Sequence, residues 1–162
     1  VPTGSVPGRT GPDILGDDEP GLAAAQRAEL DQLHDAVEAD PYDVEARLTL
    51  ADRLLAAGLA DEAAVHYRQA VSARPNDPVI RLTLAVVLLQ LGDTDGAERH
   101  ATRVLDDRPD HTEALLLAGL ARVAAGDPQG QVQLRRFLEV APADHPGLAM
   151  AQAVLDGDPP QP

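Results

Sequence analysis

A spacing of 34 residues, marked by proline and glycine, is the feature of this sequence that most constrains its fold. Four prolines recur at intervals of 34, 34 and 33 residues, at Pro41, Pro75, Pro109 and Pro142. Three glycines recur at intervals of 34, at Gly58, Gly92 and Gly126. Apolar residues between these markers keep the same register. A period of this length predicts one small structural unit that stacks on copies of itself and buries a continuous core.

Each period predicts two amphipathic helices, over residues 44–57 and 61–73 in the first copy. Apolar residues recur at helical spacing in both segments. We expect Gly58 to end the first helix, because glycine readily adopts the left-handed conformation, and Pro75 to follow the end of the second. Five aspartates are predicted to cap helix starts, namely Asp43, Asp77 and Asp144 for first helices and Asp61 and Asp95 for second helices.

These residues resemble the tetratricopeptide repeat, a helix-turn-helix unit of 34 residues with small, glycine and proline positions at fixed places. The first unit matches at Ala51, Gly58, Ala63, Tyr67, Ala70 and Pro75. The second matches at Ala85, Gly92, Ala97, Ala101, Val104 and Pro109. The third matches at Gly119, Gly126, Leu134, Phe137 and Pro142, with one residue missing in its turn. The aromatic residue that the family carries at its fourth position is Arg47, Arg81 and Leu115 here, which predicts aliphatic in place of aromatic packing.

The resemblance implies an all-α fold, a right-handed α-solenoid of three helical hairpins over residues 44–142. A helix over 21–41 would be a partial leading repeat, and a helix over 144–155 would cap the last hairpin. Residues 1–20 are rich in acidic residues, glycine and proline, and 156–162 are rich in residues that break helices. Such segments bury too little apolar surface to offset the entropy of ordering, so we expect both to be disordered tails.

Composition excludes several classes of function. The formal charge is −14, and all 13 basic residues are arginine. This charge argues against nucleic acid and against an anionic membrane surface as partners. The chain has no cysteine and no lysine, and it shows no catalytic or phosphate-binding motif. We therefore predict no enzymatic activity and no cofactor.

Two patterns that resemble metal sites have simpler explanations. The run Gly92–Gly96 resembles the start of a calcium loop, but Val104 stands where such a loop needs glutamate. His66 and His100 lie one repeat apart, on helices that would be about 10 Å from each other, with no third ligand nearby. We interpret the first pattern as a turn, in which Gly92 ends one helix and Asp95 caps the next, and the two histidines as surface residues. We therefore predict no metal site.

The first helices of this family line its concave surface, through their positions 5, 9 and 12. Carried over to this sequence, those positions are Leu48, Asp52, Leu55, Leu82, Val86, Leu89, Leu116, Leu120 and Val123. Eight of the nine are aliphatic, and an exposed stripe of that kind predicts an interface. We expect it to bind an amphipathic helix or an apolar peptide segment of another protein. On this interpretation, Leu82→Asp or Leu116→Asp abolishes binding without unfolding the chain.

The leading hypothesis is a non-enzymatic scaffold or adaptor within a larger assembly, whose partner is neutral or basic outside its apolar face. An alternative is that the groove is filled by residues 21–40, by the Ile14–Leu15 segment or by a second copy of the chain. Another alternative, from the resemblance alone, is a membrane-anchored extracytoplasmic assembly factor of the cytochrome c maturation or cell-envelope type. No segment of the sequence is long and apolar enough to span a bilayer, but an upstream anchor stays open. The compartment, cytoplasmic or extracytoplasmic, is not predicted.

Overall fold

The computed structural model describes residues 24–157, and these form eight α-helices and no strand. The helices are α1 (Ala24–Ala39), α2 (Val44–Ala56), α3 (Ala60–Ala73), α4 (Pro78–Gln90), α5 (Thr94–Asp107), α6 (Thr112–Ala124), α7 (Gln129–Val140) and α8 (Leu148–Asp156). The predicted tail over residues 1–20 lies outside the described residues, as do residues 158–162 of the second predicted tail.

Each helix packs mainly on its neighbours in the sequence. Helices α2 and α3, α4 and α5, and α6 and α7 form three hairpins, and each hairpin packs on the next through α3 with α4 and α5 with α6. Helix α4 also contacts α6, so the first helices of consecutive hairpins lie side by side. Helix α1 packs on α2, and α8 packs on α7. The all-α solenoid predicted from the 34-residue period is therefore confirmed.

Glycine ends each first helix, as its spacing predicts. Gly58, Gly92 and Gly126 have φ angles of 81°, 78° and 79°, in the left-handed region that favours glycine. The chain then turns back, and the N–H of Leu59 donates to the carbonyl of Leu54 at 2.9 Å. This closing bond satisfies a carbonyl that the helix end leaves without a partner.

The structure confirms two of the five predicted caps. The Asp43 carboxylate accepts a hydrogen bond from the Ala46 N–H at 3.0 Å. Asp77 accepts from the N–H groups of Val79 and Ile80. These three bonds satisfy backbone donors in the first turns of α2 and α4.

The other three cap predictions are wrong. Asp93, not Asp95, caps α5, and it accepts from the Gly96 N–H at 2.8 Å. Asp61 lies within the first turn of α3, where a carboxylate still interacts favourably with the helix dipole. Helix α8 begins at Leu148 after Gly147, four residues beyond the predicted start at Asp144. In each case the helix begins one to four residues from the expected position, which moves the aspartate out of capping geometry.

Arginine replaces the aromatic residue of the repeat in a way that the sequence did not predict. Arg47 donates to the carbonyl oxygen of Pro41, and Arg81 donates to that of Pro75, both at 2.7 Å. Each arginine thus ties its helix to the proline turn six residues earlier. In the third hairpin the equivalent Leu115 is buried in the core.

His66 and His100 are half-buried, so their interpretation as surface histidines is wrong. The rings of His66 and His34 meet edge to face, with centroids 5.7 Å apart. Desolvation, with smaller contributions from His34 and Arg47, lowers the pKa of His66 to about 4. Desolvation and nearby arginines also lower the pKa of His100.

We expect His66 to make the fold sensitive to acid. Its folded pKa lies below the unfolded value near 6.5, so the unfolded state binds more protons as the pH falls from about 6.5 to 4. The contribution of His66 to the free energy of unfolding is then fully present above about pH 6.5, and it is lost as the pH falls from about 6.5 to 4. Urea unfolding at several pH values would measure the decline. The His66→Gln variant should show a smaller decline of the free energy of unfolding over the same pH range. An unchanged decline would mean that His66 does not cause it.

Candidate functional site

An open cavity of about 410 Å³ lies between α4 and α6. Its lining comes from α4, from the residue before α6, and from α6, namely Val79, Leu82, Thr83, Val86, His111, Glu113 and Leu117. We call it the α4–α6 groove. Its α4 residues recur at intervals of three and four, so they share one face of the helix. Val79 and Val86 are 71% and 40% exposed, which leaves two large apolar side chains accessible at this face.

Two of the nine predicted site residues, Leu82 and Val86, line this groove. Leu82 is only 8% exposed, because it packs on Ala101, Val104 and the α6 alanines beneath the groove. The other six aliphatic residues are half-buried and do not line it. Leu48, Leu55 and Leu89 pack on the core of the first two hairpins, and Leu116, Leu120 and Val123 pack on a cluster that includes α7 and α8.

Asp52, the single charged residue among the nine, is exposed and has a buried partner. The hydroxyl of Tyr67, a core residue of α3, donates a hydrogen bond to the Asp52 carboxylate. Desolvation, together with this bond and the charge of Asp52, raises the pKa of the Tyr67 phenol. The phenol therefore stays protonated and keeps donating to Asp52.

Glu113 is the carboxylate in the lining of the groove. Its Oε2 accepts from the Thr112 hydroxyl at 2.9 Å, and its Oε1 lies 3.2 Å from Nε2 of His145. Burial raises the pKa of Glu113, but the hydrogen bonds from Thr112, from the backbone and from His145 together lower it below its ordinary value. Glu113 is therefore negatively charged at neutral pH.

His145 links Glu113 to the segment before α8. The Gly147 N–H donates to Nδ1 of His145 at 3.0 Å, so the proton of the neutral imidazole lies on Nε2 and points to Glu113. The imidazole also meets the Phe137 ring edge to face, with centroids 5.0 Å apart. These contacts hold the segment before α8 against α6 and α7.

The segment before α8 covers part of the predicted stripe. A methyl group at Gly147 would lie 2.5 Å from Cδ2 of Leu116, so this backbone passes directly over the leucine. Leu116 is therefore covered by the chain itself, whereas Val79 and Val86 remain open. Among the eight aliphatic residues of the predicted stripe, Val86 is the exposed one, and it lies in the α4–α6 groove.

Val79 and Leu117 line the groove but were not among the predicted residues. They occupy the second and sixth positions of their repeats, and the prediction used only positions 5, 9 and 12. The spacing of Val79, Leu82 and Val86, three and then four residues apart, was a signal that could have identified Val79.

Within residues 24–157, no group of three or more histidine, cysteine, aspartate or glutamate side chains could hold a metal ion. No helix in the same range has the length and apolar character needed to cross a membrane.

The sequence of residues 54–118 matches the tetratricopeptide repeat family. No curated protein matches the chain in sequence. Solved structures with similar folds include MamA from Desulfovibrio magneticus RS-1, at 19% identity and a TM-score of 0.66, covering 82% of this chain and 77% of MamA. Another is YrrB, which is described as a tetratricopeptide-repeat protein with an unusual peptide-binding site. It matches at 20% identity and a TM-score of 0.67, and the match covers 81% of this chain and 66% of YrrB.

A third similar structure is the first repeat domain of Spaghetti (RPAP3), bound to the HSP90 peptide SRMEEVD. It matches at 20% identity and a TM-score of 0.60, covering 70% of this chain and 91% of that domain. At these identities the likeness concerns the fold. Residues 54–118 therefore match the tetratricopeptide repeat in sequence, and the described residues share the all-α solenoid fold of these solved structures.

Proposed function

We propose that this chain is a non-enzymatic scaffold or adaptor that binds a helix or peptide segment of another protein in the α4–α6 groove, within a larger assembly. The observation that carries the proposal is the exposure of Val79 and Val86 beside an open apolar cavity. Similar folds in YrrB and RPAP3 are described with peptide-binding sites or bound peptides, which supports a peptide or helix as the occupant.

The groove suits a partner that inserts apolar side chains. Leu82 and Leu117 form its apolar floor, and the two exposed valines lie on its wall. Burying apolar surface contributes about 25 cal/mol per Å² before the cost of association is subtracted, so covering the two exposed valines favours binding. The lining contains no pair of groups arranged as nucleophile and base, which favours binding over catalysis.

The structure changes which substitutions test this proposal. Leu82→Asp would place a charge among buried residues, and Leu116→Asp would place one under Gly147. Burying an unpaired charge is costly, so both variants would unfold the chain before they reported on binding.

We expect the double variant Val79→Gln/Val86→Gln to weaken partner binding by about tenfold or more, since it removes apolar contacts without adding charge. Glutamine is a good helix former, so the variant should keep the helical circular dichroism spectrum of the native chain. Retention of partners from the native source, identified by mass spectrometry and followed by titration of the partner, measures the effect.

A matched control is the double variant Val65→Gln/Val132→Gln. These valines are 48% and 53% exposed on α3 and α7, and they do not line the groove. The control should bind as the native chain does. Equal loss of binding in both double variants would contradict a specific role for the groove. A dimer in size-exclusion chromatography that the groove variant abolishes would favour a second copy as the occupant.

A further inference from the structure

We propose that the occupant of the α4–α6 groove is a short amphipathic helix of another protein that carries lysine or arginine beside its apolar anchors, and that Glu113 binds one of these cations. This inference rests on the proposed function of the groove and adds the chemistry of the partner. It follows from the charges around the groove, from the charge of the chain's own terminal segment, and from the spacing of the exposed valines.

The charge in the groove lining is negative. Among its seven residues, Glu113 is the only acidic one and none is arginine. The carboxylate is about half exposed, so it can still accept hydrogen bonds from a ligand. It contacts the Thr112 hydroxyl and the imidazoles of His111 and His145. An incoming cation would therefore meet a negative charge that no arginine neutralises.

Helix α2, the first helix of the preceding hairpin, also carries acidic side chains. Asp52 stands one repeat before Val86, and its hydrogen-bond donor is the uncharged Tyr67 hydroxyl. Glu45 stands one repeat before Val79 and pairs with Arg74 at the end of α3. Acidic side chains thus occupy, on α2, the positions that the exposed valines hold on α4. A partner that crosses α4 toward α2 encounters the carboxylate of Asp52, whereas the charge of Glu45 is balanced by Arg74.

The same argument disfavours the chain's own N-terminal segment as the occupant. Its apolar pair, Ile14 and Leu15, is followed within four residues by Asp17, Asp18 and Glu19. Placing this run in the groove would bring it against Glu113, and like charges in contact oppose binding. A basic segment of another protein gains attraction at the same place.

The spacing of the exposed residues predicts the form of the partner. Val79 and Val86 are seven residues apart, which corresponds to about 10.5 Å along α4 at 1.5 Å per residue. A helix laid along the groove matches this length with apolar anchors at positions i, i+3 or i+4, and i+7. About two turns are therefore enough to cover the exposed apolar surface.

Three synthetic helical peptides with identical leucine anchors, and with lysine, glutamine or glutamate at the other positions, test the inference on the full chain by fluorescence anisotropy. We expect the lysine peptide to bind at least about tenfold tighter than the glutamate peptide. Raising the salt from about 0.1 to about 1 M shortens the Debye length from about 10 to about 3 Å. Higher salt should therefore weaken binding of the lysine peptide and leave binding of the glutamine peptide nearly unchanged.

Glu113→Gln should lower the affinity for the lysine peptide about two- to fivefold, as expected for loss of an exposed ion pair. Its affinity for the glutamine peptide should stay unchanged. The variant keeps an oxygen that can accept from His145, and a thermal melt checks that it folds. Asp61→Asn is the matched control, because it removes the same charge from an exposed residue of α3 outside the groove. Equal weakening by both substitutions would mean attraction by the overall charge and would overturn the inference.

Further outcomes separate this inference from the proposed function. The glutamate or glutamine peptide could bind as tightly as the lysine peptide, with binding that Val79→Gln/Val86→Gln weakens. In that case the groove still binds a helix, but the inference that its partner is basic is wrong. If no peptide binds in a way that depends on the two valines, both proposals fail. If Ile14→Asp/Leu15→Asp increases peptide binding to the full chain, the chain's own segment occupies the groove and the inference is overturned.

Discussion

Replacing Gly130 with alanine is expected to lower the free energy of unfolding by about 3 kcal/mol or more, a large part of the 5–15 kcal/mol typical of a domain. A methyl group there would lie 2.6 Å from the backbone nitrogen of Val123 and 2.7 Å from the carbonyl oxygen of Gly119. Backbone atoms cannot move aside by changing a rotamer. Helices α6 and α7 would have to separate, and α6 carries Glu113 and Leu117 of the groove.

Urea denaturation followed by far-ultraviolet circular dichroism, in which α-helices give a strong negative signal, measures this loss. The change in the free energy of unfolding is about the shift of the urea midpoint multiplied by the slope of the transition. The neighbouring residue on α7 provides the control, since Gln131 is exposed and Gln131→Ala should change stability by less than about 0.5 kcal/mol. A loss below about 1 kcal/mol for Gly130→Ala would show that α6 and α7 do not approach this closely.

Replacing Phe137 with alanine is expected to cost about 3–5 kcal/mol, because the ring is fully buried and its removal leaves a cavity. The ring packs in one cluster with Leu148, Val154 and Leu155 of α8, and it contacts His145. The effect should therefore be concentrated at the C-terminal end, where α8 loses the surface on which it docks.

Hydrogen exchange with detection by mass spectrometry resolves this effect along the chain. Peptides from α8 should lose protection in Phe137→Ala by a larger factor than peptides from α2 and α3. Phe137→Leu, which keeps most of the volume, should cost less than about 1.5 kcal/mol. Uniform loss of protection along the chain would mean that α8 does not depend on this ring more than the rest of the fold does.

The helices and their order could be predicted from the sequence because the signals for them are local. Gly58 ends α2 through its own backbone conformation, and Asp43 and Asp77 cap helices through bonds to residues two or three positions away. The repeat period then determines which helices pair, since identical units stack in identical ways. Helix starts were predicted less well, and Asp93 caps α5 where Asp95 was expected.

The groove could be predicted only in part. The apolar face of α4 is visible in its sequence, and Leu82 and Val86 do lie at the groove. The sequence could not show that Leu82 forms the buried floor, or that the backbone at Gly147 covers Leu116. Both depend on how a helix sits against residues that are distant in the chain.

The sequence by itself determined that this protein is a stack of helical hairpins, because turns, caps and amphipathic periods act within a few residues. Only the tertiary structure decided which of the repeated apolar residues remain open to a partner. Helices α6 and α7 meet at Gly119 and Gly130, and the chain before α8 closes over Leu116. Exposure is set by such contacts between distant segments, and a repeat that is regular in sequence does not reveal where they occur.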